Sequence, residues 1–407
     1  MDDVLVIGAG PAGLLAAWVA RRRGARVRVL ASGVGTTHVA PGWLGVLDAE
    51  GDLQAALQRW IADHPRHPYA LTGPEALAGG LASLEEICRP AGLRYVGDLR
   101  ANFRLPTALG AVLPAALVPE SFAAGDLRQP GPMLIAGPAG WRDFYPALCA
   151  GNLARQGFPA RAATFDLARW AGSRFDPTPV SLAQLFEQPQ VRQEVARQLK
   201  PALAGVARVG FPAVLGLTRA SEVWQEMQER LGVPVFEIPT LPPSVPGMRL
   251  FNAFKASLSQ AGVPILLDMT VARGMSENGR AVGVVVPTAA REAVYRADMV
   301  ILATGGLYGG GITSYRDGTM REVIFGLPLH APDGLTNWFG HRFLGRHPVH
   351  EAGVLANARL QPVDAAGQVV LENVRIVGRL LAHYDPLLEG STEGVWLATA
   401  YHAASGT

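Results

Sequence analysis

The chain has 407 residues, 49% hydrophobic and 17% charged, which is enough for roughly two to three domains' worth of core and too apolar for a disordered polypeptide. Lys+Arg 36 against Asp+Glu 34 leaves a formal net charge of +2, too balanced for a protein built to coat nucleic acid. The two cysteines, Cys88 and Cys149, are too few and too far apart for a zinc ribbon, an iron–sulfur ligand set or a redox CxxC pair.

Residues 4–7 are an apolar run of strand type, followed by Gly8-Ala9-Gly10-Pro11-Ala12-Gly13, a helical stretch over 14–23 closed by Gly24, and a second strand over 26–30. Strand, glycine-rich turn, helix, strand opens a dinucleotide-binding fold. Gly8 permits the tight turn, Gly10 lets backbone approach a phosphate, and Gly13 lets helix and strand pack closely, with Pro11 and Ala12 filling the first helical turn. The strand follows directly on Met1-Asp2-Asp3, so no signal peptide is expected. An uncharged run near 105–119 is broken by Pro106 and Pro114 and falls short of the ~20 apolar residues of a membrane span.

The second strand ends in Leu30-Ala31-Ser32-Gly33, without the acid that would hold an adenosine ribose, and no Arg follows to take a 2′-phosphate. The diphosphate half of the site is intact, and Ser32 offers one weaker contact. A flavin mononucleotide, or an FAD held loosely at its adenosine end, fits this pattern better than NAD or NADP.

From 49 to 245, helical pieces (53–62, 75–91, 141–156, 191–199 and 221–231) alternate with Pro- and Gly-interrupted stretches and one strand candidate at 133–136. This reads as an inserted cap. From Gly247 the earlier pattern returns, with a helix over 248–260 and strands at 263–267 and 270–275. Asn278-Gly279 then turns the chain into a hairpin partner at 281–286. A strand over 299–303 runs into Thr304-Gly305-Gly306, where glycines at a strand's carboxyl end let backbone lie against a cofactor. A last strand over 372–377 ends at Gly378, and a turn with Gly390 and Gly394 leads into a final helix over 395–404.

The opening glycine motif, the Ala303-Thr304-Gly305-Gly306 turn and the C-terminal glycine turn resemble the FAD-dependent oxidoreductases of the two-dinucleotide-binding-domain superfamily. Three further blocks resemble, more closely, the B-subunit family of anaerobic glycerol-3-phosphate dehydrogenases. They are Pro239-Thr240-Leu241-Pro242-Pro243-Ser244-Val245-Pro246-Gly247-Met248-Arg249-Leu250, the paired glycines of 307–311, and Tyr384-Asp385-Pro386. The similarity runs over most of the chain and is faint between 71 and 130.

The resemblance implies an α/β fold. A discontinuous three-layer Rossmann-like flavin-binding domain (1–48, 247–306 and 372–407) would carry an inserted α+β cap (49–246 and 307–371) for substrate or partner contact. It further implies a flavoprotein that works with a second flavoprotein subunit and a membrane-attached Fe–S subunit, oxidising glycerol 3-phosphate to dihydroxyacetone phosphate. Electrons would reach quinone only through a partner, placing the chain in the cytoplasm against the inner face of the membrane. The cofactor implied by the family is FMN, whereas the glycine motif by itself points to FAD.

Cofactor contacts are expected at Gly8, Gly10, Pro11, Ala12, Gly13, Ser32, Thr304, Gly305, Gly306, Gly378, Asp385 and Gly394. His38 and Gly42 stand where related flavoproteins run a second flavin loop, and the spacing between them favours a non-covalent contact over a covalent one. Oxidation of a secondary alcohol needs a base for the hydroxyl proton, and His347 and His350 have the right side chain; no third residue makes them a metal site. Arg249, Arg316 and Arg321 are candidates for the substrate phosphate. The last turn reads Gly390-Ser391-Thr392-Glu393-Gly394, and Glu393 at a helix N-terminus would repel a flavin phosphate or reduced ring. Two alternatives stay open: a flavin dehydrogenase or reductase of another hydroxy acid or dicarboxylate, and a degenerate or electron-relay subunit in which these histidines and arginines have no catalytic role.

Overall fold

The computed structural model describes residues 2–171, 177–289 and 291–406. Met1 and Thr407, the outer limits of the expected flavin-binding domain, lie outside the described residues.

The apolar opening run forms the strand Asp2–Ile7 at the centre of a five-stranded parallel sheet. Its order is Ile265–Leu266, Val27–Leu30, Asp2–Ile7, Ala297–Leu302, Val374–Ile376. Parallel strands covered on both faces need continuous apolar sequence, and Val4 to Ile7 and Val300 to Leu302 supply it, all buried. The helices Pro11–Arg22, Pro74–Cys88, Val245–Gln260 and Thr392–Ser405 pack on the sheet and on one another. A three-stranded antiparallel sheet (Arg273–Glu277, Arg280–Pro287, Glu292–Tyr295) lays Val284 and Val286 into the same core. Helices, parallel sheet and antiparallel sheet are the three layers expected. The Asn278-Gly279 turn has φ of 48° and 73°, the left-handed pair a two-residue hairpin loop requires.

A second sheet lies in the inserted region and is also all parallel: Val235–Ile238, Arg208–Pro212, Met133–Pro138, Ala160–Phe165. A separate core around it is drawn from residues between Leu127 and Val245. Two small antiparallel pairs precede it, Tyr95–Gly97 with Leu117–Pro119 and Phe103–Pro106 with Val112–Ala115. The helix expected over 141–156 begins only at Pro146, because proline has no N–H to give and its ring excludes a preceding helical turn.

The helices Leu53–Asp63 and Pro74–Cys88, expected in the cap, bury Leu57, Leu77 and Leu84 in the core of the five-stranded sheet instead. Ile312, Leu327, Val354 and Leu360, from the other stretch expected there, join the same core. The contact is close: a Cβ on Gly80 would lie 2.5 Å from the Leu397 carbonyl oxygen in the last helix. No helix among the described residues is long and apolar enough to cross a membrane.

Candidate active site

The carboxyl ends of Asp2–Ile7, Val27–Leu30 and Ala297–Leu302 open into a cleft of about 250 Å³. Gly8, with φ 114°, sits so close to the neighbouring strand that a Cβ would lie 2.3 Å from the Ala303 carbonyl oxygen. A Cβ on Gly13 would lie 2.0 Å from the Gly8 carbonyl oxygen, so the third glycine serves helix–strand packing. Gly10 differs. It is the N-cap of the first helix, no side chain caps that helix, and a Cβ there would meet nothing within 4 Å because it would point into the cleft. With Pro11 at the first helical position and Ala12 buried behind it, the first-turn amides are left for an anion.

Among the described residues the cleft is lined by glycines, apolar groups and the hydroxyl-bearing Ser32, Thr36, Thr270 and Thr304, with no charged side chain. Thr304 Oγ1 is buried and has no hydrogen-bond partner among the described residues. A buried hydroxyl without a partner is costly, and a polar ligand in the cleft completes it. The cleft therefore suits a phosphorylated cofactor held by backbone amides and hydroxyls. Ala31 closes the second strand with its amide bonded to the Leu266 carbonyl, and Ser32 after it lines the cleft where the ribose acid is missing. Gly35 is a cleft residue that sequence reasoning misses. With φ 66°, its Cβ would lie 2.6 Å from Gly10 Cα, and the Gly33-Val34-Gly35 pair after the second strand is the available signal.

Gly305, with φ 74°, lines the cleft, and Gly306 leads out of it. A Cβ on Gly306 would lie 2.8 Å from the Arg379 carbonyl oxygen. Arg379, directly after Gly378, is a second connection that sequence reasoning misses. Its Nη2 donates to the His350 carbonyl, its guanidinium lies 5.2 Å from the Tyr384 ring centre, and its Nη1 is buried without a partner among the described residues. His350 is itself buried, and Asp385 Oδ2 lies 3.3 Å from its Nδ1. A carboxylate there accepts a hydrogen bond from Nδ1–H and leaves Nε2 with its lone pair, the arrangement of an imidazole base held by an orienting acid. Asp385 Oδ1 meanwhile accepts from the Leu387 and Leu388 amides and caps the short helix Pro386–Glu389. Asp385 thus contacts His350 and its own helix, rather than the cleft where it was expected.

His347 is engaged differently. Its Nδ1 accepts from the Gly340 amide at 3.0 Å and its Nε2 lies 2.9 Å from the Phe343 carbonyl oxygen, so both nitrogens brace one loop. Arg249 is buried and fully engaged, with two nitrogens on the Glu237 carboxylate and two on the Gly216 carbonyl, which ties the helix Val245–Gln260 to the cap sheet. It is not brought to the cleft. Arg316 and Arg321 are exposed on the hairpin Ile312–Ser314/Met320–Glu322. His38 faces Phe251 edge-on at 5.1 Å, with Nε2 buried and unpartnered among the described residues, and burial lowers its pKa. Gly42, with φ 90°, lies against Pro246, and Gly378, with φ 63°, lies against Ala12 behind the first helix.

Gly394 is a packing position, since a Cβ would lie 1.9 Å from the Tyr69 hydroxyl. Beside it, Glu393 Oε2 accepts from the Gly45 amide at 3.0 Å while the Gly394 amide donates to the Gly45 carbonyl. The chain fills the N-terminus of its last helix with its own groups. Burial pushes the Glu393 carboxyl up to about 7, so much of the charge expected to repel a flavin is absent near neutral pH.

A family model described as "FAD binding domain" matches residues 3–395. The probable anaerobic glycerol-3-phosphate dehydrogenase B-subunit of Halobacterium salinarum is 32% identical over 100% of this chain and 97% of its own length. The anaerobic glycerol-3-phosphate dehydrogenase B-subunit of Pectobacterium atrosepticum is 29% identical over 99% and 97%. Among solved structures, 3-ketosteroid delta1-dehydrogenase from Sterolibacterium denitrificans covers 100% of this chain and 99% of its own, at 13% identity and TM-score 0.46. A flavocytochrome c3 fumarate reductase covers 99% and 77%, at 11% identity and TM-score 0.45.

Proposed function

The chain belongs to the FAD-binding-domain family and, within it, to the B-subunit family of anaerobic glycerol-3-phosphate dehydrogenases, and from that premise we propose that it oxidises glycerol 3-phosphate to dihydroxyacetone phosphate as a flavoprotein subunit of a quinone-linked complex. The observation that carries a substrate role, rather than a relay role, is the His350–Asp385 pair beside the glycine loop of the flavin cleft. Arg379 joins the two, with its backbone against Gly306 and its guanidinium on the His350 carbonyl.

Bound flavin supplies the acceptor for the hydride leaving the alcohol carbon. Gly8, Gly10 and Gly305 let backbone reach its phosphate end, and Thr304 Oγ1 and Arg379 Nη1 are the buried groups left for it to satisfy. His350 takes the hydroxyl proton on Nε2 while Asp385 holds Nδ1–H and stabilises the imidazolium that forms. Tyr308, an exposed residue, has its ring centre 6.1 Å from that of His350.

In this reading electrons leave through a partner. The described residues hold no group of three or more His, Cys, Asp or Glu that would take a metal, and the two cysteines are buried, their thiols pushed up to about 12 by burial. An Fe–S partner attached to the membrane, passing electrons to quinone, completes the reading.

The test is the complex purified with its partners under anaerobic conditions. Glycerol 3-phosphate is expected to bleach the flavin absorbance of this subunit. Bleaching by a dicarboxylate or a 2-hydroxy acid, and not by glycerol 3-phosphate, would replace this substrate.

A further inference from the structure

We propose that His330, His383 and Arg66 form a cradle for a phosphate group, the anionic end of the substrate, an inference that rests on the reading of the chain as a glycerol-3-phosphate dehydrogenase subunit. The two imidazoles are in contact, with ring centres 4.4 Å apart and planes inclined by 40°. His330 lies on the short strand Leu329–His330, paired with Gly353–Val354. His383 has φ 67°, a left-handed conformation that side-chain-bearing residues adopt at a cost, and its amide bonded to the Glu351 carbonyl helps hold it there. The outcome of that strain is an imidazole whose Nε2 is buried and has no partner among the described residues. Strained backbone that presents an unsatisfied ring nitrogen marks a place where a ligand finishes the structure.

Arg66 supplies the third group. It has no ion-pair partner among the described residues, and its position is set by its neighbour. His67 is 1% exposed, accepts the Tyr69 amide on Nδ1 and binds Glu389 through Nε2 at 3.0 Å, which pins the turn before Pro68. From there Arg66 bears on both imidazoles. Burial, His330 and Arg66 together take His383 down to about 4, and burial and Arg66 lower His330 against the pull of Glu351. Glu351 is the acid that faces this group, and it is already paired with Arg346 at 2.5 Å. Both imidazoles are therefore held neutral near pH 7, each with one N–H to give, and the positive charge beside them is that of Arg66.

Three separate N–H groups, from two imidazoles and a guanidinium, suit a tetrahedral anion with three free oxygens better than a planar carboxylate. The placement fits the chemistry. His383 is two residues from Asp385, whose carboxylate holds His350, so one short segment carries both the phosphate contact and the residue that orients the base. No local sequence pattern singles out any of the three residues.

The experiment uses the flavin-loaded complex, with inorganic phosphate as the calorimetric probe and glycerol 3-phosphate as the kinetic one. R66Q alters an exposed side chain, and H383N keeps a residue that tolerates positive φ. Each is expected to weaken phosphate binding and raise KM about tenfold or more with kcat within about twofold, as loss of an interaction common to ground and transition states requires. Unchanged phosphate affinity and KM in R66Q would overturn the cradle while leaving the proposed reaction in place. A wild-type complex that binds phosphate through Arg66 yet does not oxidise glycerol 3-phosphate would keep the cradle and remove that reaction.

Discussion

His350 suits a proton transfer because of its neighbour: Asp385 occupies one nitrogen and caps a helix at the same time, so imidazole and carboxylate are fixed to one short segment. Replacing His350 by Asn is expected to lower kcat by about 100-fold or more while flavin content is unchanged, measured by steady-state kinetics on the purified complex. D385N keeps the helix cap, because asparagine caps as well as aspartate, and should still lose rate. D385E returns a carboxylate one methylene further out and is expected to recover part of that rate, a recovery that a purely structural role would not give. Glu393 makes a different prediction. Its carboxyl is raised by burial to about 7, so the neutral form is the one folding favours. A raised group stabilises fully below its ordinary pKa and loses that contribution as pH rises through the folded value. Between about pH 5 and about pH 8 the wild-type melting temperature should fall relative to E393Q, by an equivalent of roughly 2–3 kcal/mol at most. Parallel curves for the two proteins would show that Glu393 does not titrate in this range.

Among the elements, the first helix separates two functions of glycine. Gly13→Ala drives a methyl to 2.0 Å from the Gly8 carbonyl and is expected to destabilise the fold by about 1–3 kcal/mol, seen as a lower thermal midpoint. Gly10→Ala meets open space, so the protein should fold as before and lose flavin, read from the flavin-to-protein absorbance ratio. These positions are legible in the sequence because the demand is local: strand, turn and helix are contiguous, and each glycine answers a steric need within a few residues of chain. In the cap sheet Met133–Pro138 shows as the apolar run at 133–136, but its three partner strands do not. Ala160–Phe165 lies at a sheet edge with much of its side-chain surface in water, while Arg208–Pro212 and Val235–Ile238 are short and carry Arg208 and Glu237, which look like surface residues until their partners are known. Arg249 shows the same limit. From sequence it is a candidate for substrate phosphate; in the fold it lies 2.6 Å from Glu237 in a buried ion pair between helix and cap sheet. E237Q strands that guanidinium and is expected to cost about 3–5 kcal/mol in chemical denaturation.

Over the whole molecule, the site is assembled from segments far apart in sequence: 66–69, 304–308, 330, 347–351 and 378–393 meet around one polar network, and no local pattern announces such a meeting. The same long-range folding leaves one loop outward. Phe343 is 91% and Leu344 88% exposed, with Phe339 nearby at 62%, and His347 holds their loop with both of its ring nitrogens. A loop braced so that apolar side chains stand in water carries a cost that a monomer has no reason to bear, and apolar patches of this kind mark interaction sites. Arg342 in the same loop has no ion-pair partner among the described residues, which adds a positive charge for an acidic contact. On the proposed reading of this chain as a subunit of a complex, this loop is the expected contact with a partner subunit. F343S/L344S should leave melting temperature and flavin content unchanged, because neither side chain contributes to a core, and should abolish co-purification of the partners. If partners remain bound to the double variant, the subunit contact lies elsewhere, and this loop must be explained by something other than assembly.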